Sequence, residues 1–184
     1  MGTLIHSYET KGPAEIPAKR DYLTKVWLRK VRQMGHEVQV PDLPFNSLYA
    51  LRLASEQAWS DKAHFPLWNL TGDFFSLCWE RGQDLGAESV LLQVLQKYTA
   101  EKDVLVRATD KDVRRALKSN LKQAKASGVF GVPTWVIGEE IFWGEDSFES
   151  LKGFLQGEEL YDAKLLQEFN RSFEPSTYRK DVEN

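Results

Sequence analysis

The chain has 184 residues, of which 42% are hydrophobic and 28% charged, and its formal net charge at pH 7 is −3. This length and composition are typical of one globular domain, or of a small domain with an insertion. The sequence shows no basic block for nucleic acid, no apolar run of the roughly 20 residues that span a bilayer and no secretory signal pattern, and its single cysteine, Cys78, excludes an internal disulfide. We therefore expect a cytoplasmic protein that binds neither nucleic acid nor a membrane.

The first two thirds of the chain predict a succession of helices. A short apolar segment at residues 3–5 (TLI) comes first, and we interpret it as a remnant of a sheet. Apolar residues then recur at three- and four-residue spacing in five stretches, each of which predicts a helix. The five begin near Ala18, Asn46, Pro66, Ser89 and Thr109, and they end near Gly35, Ala54, Arg81, Tyr98 and Gly128. Residues 109–112 (TDKD) are similar to a capping box and predict Thr109 as the helix cap.

Strand character is concentrated in residues 127–148 (SGVFGVPTWVIGEEIFWGEDSF). Residues 134–137 and 141–143 are β-branched or aromatic, and residues 138–140 separate them, which predicts a hairpin. Pro133 stands at the first position of the first strand, where a proline is tolerated. Glycines approach it at positions 128 and 131. This arrangement predicts a shaped loop with a cis Val132–Pro133 bond.

The same region also predicts a closing helix and an incomplete sheet. Glu145 or Asp146 is expected to cap a helix through residues 148–155, and one more helix is expected over residues 160–169. A hairpin alone is marginally stable, so the two strands need further strands. We expect residues 3–5 to lie beside the first strand and to leave one sheet edge poorly covered. Such an edge favours self-association, such as a homodimer.

Four short motifs resemble a known family in their order and spacing: residues 16–22 (IPAKRDY), 45–52 (FNSLYALR), 130–134 (FGVPT) and 142–146 (FWGED). They resemble the 2-hydroxychromene-2-carboxylate isomerases and the kappa-class glutathione transferases, over about residues 5–157. The resemblance implies an α/β, thioredoxin-like (DsbA-like) fold with a large inserted all-helical domain. It implies one domain over residues 1–184, with the helical insertion at 18–108, the C-terminal thioredoxin half at 109–157 and a C-terminal extension at 158–184.

The family begins with a strand, a loop that bears a serine (Cys-x-x-Cys in its redox relatives) and a long helix. By the same resemblance this chain starts after them, so the predicted fold is N-terminally truncated. The serine that activates the glutathione sulfur in the family has no counterpart, and we assign no catalytic residue. Three interpretations stay open: a fragment, a shortened relative that has lost the chemistry, or a chain completed by another polypeptide.

The resemblance also implies glutathione as the cofactor and six residues that bind it. The residue before the proline, Val132 in the Val132–Pro133 pair, offers its backbone N–H and C=O to the peptide part of glutathione. Lys19 reaches a glutathione carboxylate and Tyr22 lies next to it. By residue type alone, a solvated lysine and a packing tyrosine are the more common interpretations, and the resemblance makes the binding roles about as good. Glu145 and Asp146 lie at the γ-glutamyl end, where helix N–H groups favour a carboxylate and an acidic side chain pairs with the ammonium; the alternative is a plain helix cap.

Three functional hypotheses follow. The first is a glutathione-dependent isomerase or transferase that acts on a small-molecule electrophile, such as an aromatic-degradation intermediate, and that is inactive or incomplete in this form. The second is a non-catalytic module that binds glutathione or a protein. The third, a DsbA-like thiol-disulfide oxidoreductase, is disfavoured because the sequence has no Cys-x-x-Cys. Cys78 stands among apolar residues and is predicted to be a buried structural thiol. The histidines show no metal-ligand spacing, so no metal site is predicted.

Overall fold

The computed structural model describes residues 4, 8, 11–12, 15–43, 45–59, 64–158 and 161–172. The chain divides into two units between Ala126 and Ser127. The first unit is helical in its described residues, whereas the second contains a hairpin and two helices.

Five helices of the first unit confirm the five that the sequence predicts. They are α1 (Pro17–Gln33), α2 (Leu48–Leu53), α3 (Leu67–Phe75), α4 (Glu88–Leu95) and α5 (Lys111–Ala126). Helix α3 continues into a π-helical turn at Ser76–Glu80, and 3₁₀ turns occupy Glu56–Ala58 and Val104–Thr109.

Helix ends in this unit follow local chemistry. Pro17 opens α1, where its missing N–H costs nothing, and Gly35 follows its end with a φ of 73°. The cap of α5 differs from the prediction by one residue. The Oδ1 atom of Asp110 accepts the N–H of Asp112 at 2.6 Å, whereas the Thr109 hydroxyl donates back into the preceding 3₁₀ turn. Thr109 is therefore not the cap, because that turn occupies its side chain.

The core of the first unit lies among α2, α3, α4 and α5. Its fully buried side chains are mostly aliphatic: Leu53, Leu70, Leu91, Val94, Leu95, Val104, Val113 and Cys78. Trp59 closes one side of this core, since its ring stacks on Phe65 at 3.7 Å between centroids and its Nε1–H donates to the Leu53 carbonyl at 2.8 Å. Helix α1 adds no buried residue to this core.

The second unit is built on an antiparallel hairpin of β1 (Thr134–Ile137) and β2 (Glu140–Trp143). The register runs from Thr134 opposite Trp143 to Ile137 opposite Glu140. The predicted hairpin is confirmed, but its loop has two residues, 138 and 139, and Glu140 belongs to β2. A 3₁₀ turn at Glu145–Ser147 leads into α6 (Phe148–Leu155), and α7 (Ala163–Ser172) follows.

One face of the hairpin packs on α6 through two aromatic pairs. Trp135 lies 6.0 Å from Phe148 between ring centroids, and Phe142 lies 5.4 Å from Phe154. The register places Trp135 directly opposite Phe142, so both pairs occupy the same face. This packing holds the hairpin against the closing helix.

Two further local predictions are wrong. Leu4, the described residue of segment 3–5, is helical and buried rather than part of a strand, in line with the high helix propensity of leucine; its two neighbours lie outside the described residues. Neither Glu145 nor Asp146 caps α6. The helix starts after Ser147, whose hydroxyl donates to the Gly144 carbonyl at 2.8 Å, and the intervening residues form the 3₁₀ turn.

The last predicted helix is confirmed with a later start. Asp162 accepts hydrogen bonds from the N–H groups of Lys164 and Leu165 and so begins α7 at Ala163. Residue 160, where the sequence suggested the start, lies outside the described residues.

Candidate functional site

The segment that enters β1 carries two residues of the predicted site, Val132 and Pro133. The Val132–Pro133 bond is cis, which confirms the prediction. Val132 is 57% exposed, and Pro133 is exposed as well. The Pro133 carbonyl accepts the N–H of Gly144 at 2.9 Å. Within the described part of the chain, the N–H and C=O of Val132 have no hydrogen-bond partner. Val132 therefore presents one donor and one acceptor to solvent.

Contacts with β2 position this segment. Gly131 is buried beneath the indole of Trp143, and a Cβ at position 131 would collide with that ring. The Thr134 hydroxyl donates to the Gly131 carbonyl at 2.8 Å, and the Phe130 ring lies 5.1 Å from Trp143 between centroids. Gly131 is thus required by a close approach, and the indole fixes the backbone that leads to Val132. The sequence predicted that Gly131 shapes the loop before Pro133, but it did not indicate that Trp143 lies above this glycine.

Glu145 and Asp146 follow the C-terminal end of β2, the end that meets Pro133, and both are exposed. Gly144 precedes them with a φ of 87°, and the Asp146 carboxylate lies so close that a Cβ at position 144 would collide with it. The start of α6 lies at Phe148, beyond both residues. Glu145 and Asp146 therefore place negative charge here without capping the helix.

The charged residues within the sequence segment 128–149 all have one sign, and Glu149 at its end pairs with Lys152. Every charged residue in the segment 128–149 is acidic: Glu139, Glu140, Glu145, Asp146 and Glu149. Carboxylates repel an anionic ligand and raise the pKa of a nearby thiol. The segment therefore suits backbone recognition and an ammonium group better than it suits a carboxylate or a thiolate.

Lys19 and Tyr22 lie on α1, in the first unit. They are three residues apart and so share one side of the helix. Both are exposed, Tyr22 by 63%. The other four predicted residues, Val132, Pro133, Glu145 and Asp146, belong to the second unit. A common role for the two groups stays a prediction.

A second polar cluster, which the sequence did not indicate, lies in the first unit. The Tyr98 hydroxyl donates to Asp73 Oδ2 at 2.8 Å, and Lys97 Nζ lies 3.1 Å from the same oxygen. Burial, together with the bond to Asp73, raises the pKa of Tyr98 to about 12. The same bond, with help from Lys97, holds the pKa of Asp73 below its ordinary value. This cluster links α3 to the end of α4. Its groups do not indicate a catalytic or binding role.

Cys78 is 1% exposed, which confirms the prediction of a buried thiol. Burial, and to a smaller extent the charge of Asp84, raises its pKa, so it is a poor nucleophile. In the part of the chain that the structure describes, no group of histidine, cysteine and acidic side chains is placed to hold a metal ion. No helix among the described residues is both long and apolar enough to cross a bilayer.

Comparison with known proteins agrees with this architecture. The sequence matches the family described as the DSBA-like thioredoxin domain over residues 4–156. Among solved structures, the chain is similar to a 2-hydroxychromene-2-carboxylate isomerase (HCCA isomerase), with a TM-score of 0.71 and 20% sequence identity, over 84% of this chain and 75% of that one. A search of the curated proteins found no match.

These findings confirm the predicted α/β, DsbA-like thioredoxin fold with its helical insertion. The structural likeness supports the fold, and the family match extends over most of the chain. The chain therefore belongs to the DSBA-like thioredoxin domain family.

Proposed function

We propose that the chain is a glutathione-dependent protein of the isomerase and transferase type, and that Val132 binds the peptide backbone of glutathione. The observation that carries this proposal is the exposed Val132, whose N–H and C=O are unpaired within the described residues. A peptide ligand offers the complementary acceptor and donor, as a neighbouring strand would. Recognition through the backbone places no demand on the side chain, so a valine serves.

Turnover on an electrophilic substrate is proposed to be low for this chain. Transfer or isomerisation through glutathione needs a thiolate, which nearby cations or hydrogen-bond donors stabilise. The segment around Val132 offers only acidic charge. A glutathione thiol bound there keeps a pKa near that of a free thiol, about 8.5, so only a few per cent is ionised at neutral pH.

The backbone groups of Val132 are also suited to an extended protein segment, which is the second candidate function. A non-catalytic peptide-binding module would use the same donor and acceptor without the γ-glutamyl group. Dithiol exchange is not supported, since the single cysteine of the chain is buried.

Titration calorimetry with glutathione tests the proposal on the whole chain and two variants. Val132→Pro removes the N–H donor, and Val132→Thr retains it with a similar shape. We expect weak, saturable binding by the wild type and by Val132→Thr, and loss of that binding in Val132→Pro. Equal affinity of all three proteins would contradict the role of Val132. A competing dipeptide without a γ-linkage separates the two candidates, because it displaces glutathione only from a general peptide site.

A chromene-isomerisation assay on the same samples tests the turnover. We expect little activity above the uncatalysed rate with glutathione. Robust turnover by the 184 residues would contradict the proposed weak activation of the thiol.

A further inference from the structure

The outer face of α5 carries a stripe of positive charge. Its lysine and arginine residues fall at three- and four-residue spacing, so they share roughly 100° of the helix circumference, and all are exposed. The members of this basic stripe are Lys111, Arg114, Arg115, Lys118, Lys122 and Lys125. The opposite face holds the buried Val113 and the partly buried Leu117 and Leu121. The helix therefore packs through its apolar side and presents its cations to solvent.

Little in the described part of the chain offsets this charge. Arg115 pairs with Asp112 at 3.1 Å, but both side chains are more than three-quarters exposed. Asp112 is the one acidic residue in the segment 111–138. The other cations of the stripe form no ion pair among the described residues. Like charges three or four residues apart destabilise a helix, so an anionic partner would relieve a repulsion that this chain leaves in place.

The composition of this face indicates the class of anion. Protein interfaces have apolar or aromatic residues at their centre and are poor in lysine, and a helix that lies in a membrane surface inserts an apolar side. No large hydrophobic side chain of α5 is exposed. Interfaces with nucleic acid, by contrast, are polar and strongly positive. The basic stripe therefore fits a nucleic acid better than it fits an acidic protein or an anionic bilayer.

The length of the stripe agrees with this partner. Residues 111–125 extend over about 21 Å of helix, and one strand of a duplex carries a phosphate for about every 3.4 Å of its axis, so the stripe spans about six phosphates. We propose that the basic stripe binds the phosphate backbone of a nucleic-acid duplex, without reading its sequence. The expectation of no such partner rested on the absence of a basic block. These cations are interrupted by other residues in the sequence, and only the helix brings them together.

Fluorescence anisotropy with a labelled DNA duplex of about 20 base pairs tests this inference on the full chain. No glutathione is present, so the result is independent of the proposed function. Each neutralised phosphate contributes about 0.9 to the dependence of log affinity on log salt concentration, so we expect a slope of up to about −5. The double variant Lys118→Gln, Lys122→Gln removes two cations and keeps good helix formers. We expect its slope to be smaller by about 2 and its binding at about 0.1 M salt to be at least tenfold weaker.

Lys102→Gln with Lys164→Gln is the matched control, because it removes the same charge from exposed lysines outside the stripe. This control is expected to keep the slope of the wild type. Where circular dichroism shows that the stripe variant does not fold, Arg114→Gln with Lys125→Gln replaces it. Absence of duplex binding at low salt would overturn the proposal, and so would equal slopes in the stripe and control variants. Tighter binding to polyglutamate, or to phosphatidylserine-containing vesicles, than to the duplex would overturn it in favour of a protein or a membrane.

Discussion

Substitution of Gly131 by alanine tests the account of how the Val132 segment is positioned. The added methyl group would enter the space that the Trp143 indole occupies. Inserting one carbon into a filled contact forces neighbouring groups to move and typically costs about 1–3 kcal/mol. We therefore expect Gly131→Ala to lower the free energy of unfolding by about that amount, measured by urea denaturation with far-UV circular dichroism.

A second substitution tests whether the Trp143 indole is the cause of this loss of stability. If the indole is the cause, replacing Trp143 by leucine removes the obstacle, and Gly131→Ala should then cost less than about 0.5 kcal/mol in that background. Gly72→Ala is the matched control: a Cβ at position 72, in α3, meets nothing within 4 Å. There alanine should stabilise the protein by about 0.5–1 kcal/mol, since glycine is the poorer helix former. An equal cost of Gly131→Ala with and without the indole would show that contact with Trp143 is not the cause.

Three further predictions concern the polar cluster, the core and the acidic segment. Tyr98→Phe should cost about 1 kcal/mol at neutral pH, allowing for solvent screening. Because folding lowers the pKa of Asp73, its stabilisation is present above the unfolded pKa and is lost as the pH falls through the folded pKa, so the cost should shrink in acid; a constant difference in urea denaturation would contradict this. Leu95→Ala, at a fully buried position, should cost about 2–5 kcal/mol by thermal unfolding, against well under about 1 kcal/mol for the exposed Leu51→Ala. Glu145→Gln should tighten glutathione binding about twofold in calorimetry at low salt and less at high salt, because the ligand is a net anion and Asp146 remains to pair with its ammonium; unchanged affinity would show that this charge does not face the ligand.

The helices and the hairpin could be predicted from the sequence because their causes are local. Apolar spacing and a following glycine define α1, and the β-branched run after Pro133 defines β1. The predictions of helix caps failed where a contact between separate turns determines which residue is the cap. Thr109 resembles a cap by residue type, yet the 3₁₀ turn before α5 occupies its hydroxyl and leaves the cap to Asp110.

In the candidate site, too, local features could be predicted from the sequence, whereas contacts between strands could not. The cis Val132–Pro133 bond agrees with the prediction made from Pro133 and the glycines before it. The packing of Trp143 over Gly131 depends on the register of two strands and could not be inferred from either residue alone. Periodicity also predicts which residues of a helix share a face, but not whether that face is covered. The stripe on α1 predicts a helix correctly, yet it adds no buried residue to the core of its unit.

The most direct test of glutathione recognition follows the backbone amides of the isotope-labelled chain by NMR during a glutathione titration. We expect a saturable shift of the Val132 amide, because its N–H passes from solvent to a ligand acceptor. The Ile137 amide, which faces β2 in the hairpin register, should move little. A Val132 amide whose signal stays in place while glutathione binds elsewhere, or shifts no more than that of Ile137, would show that Val132 does not bind glutathione.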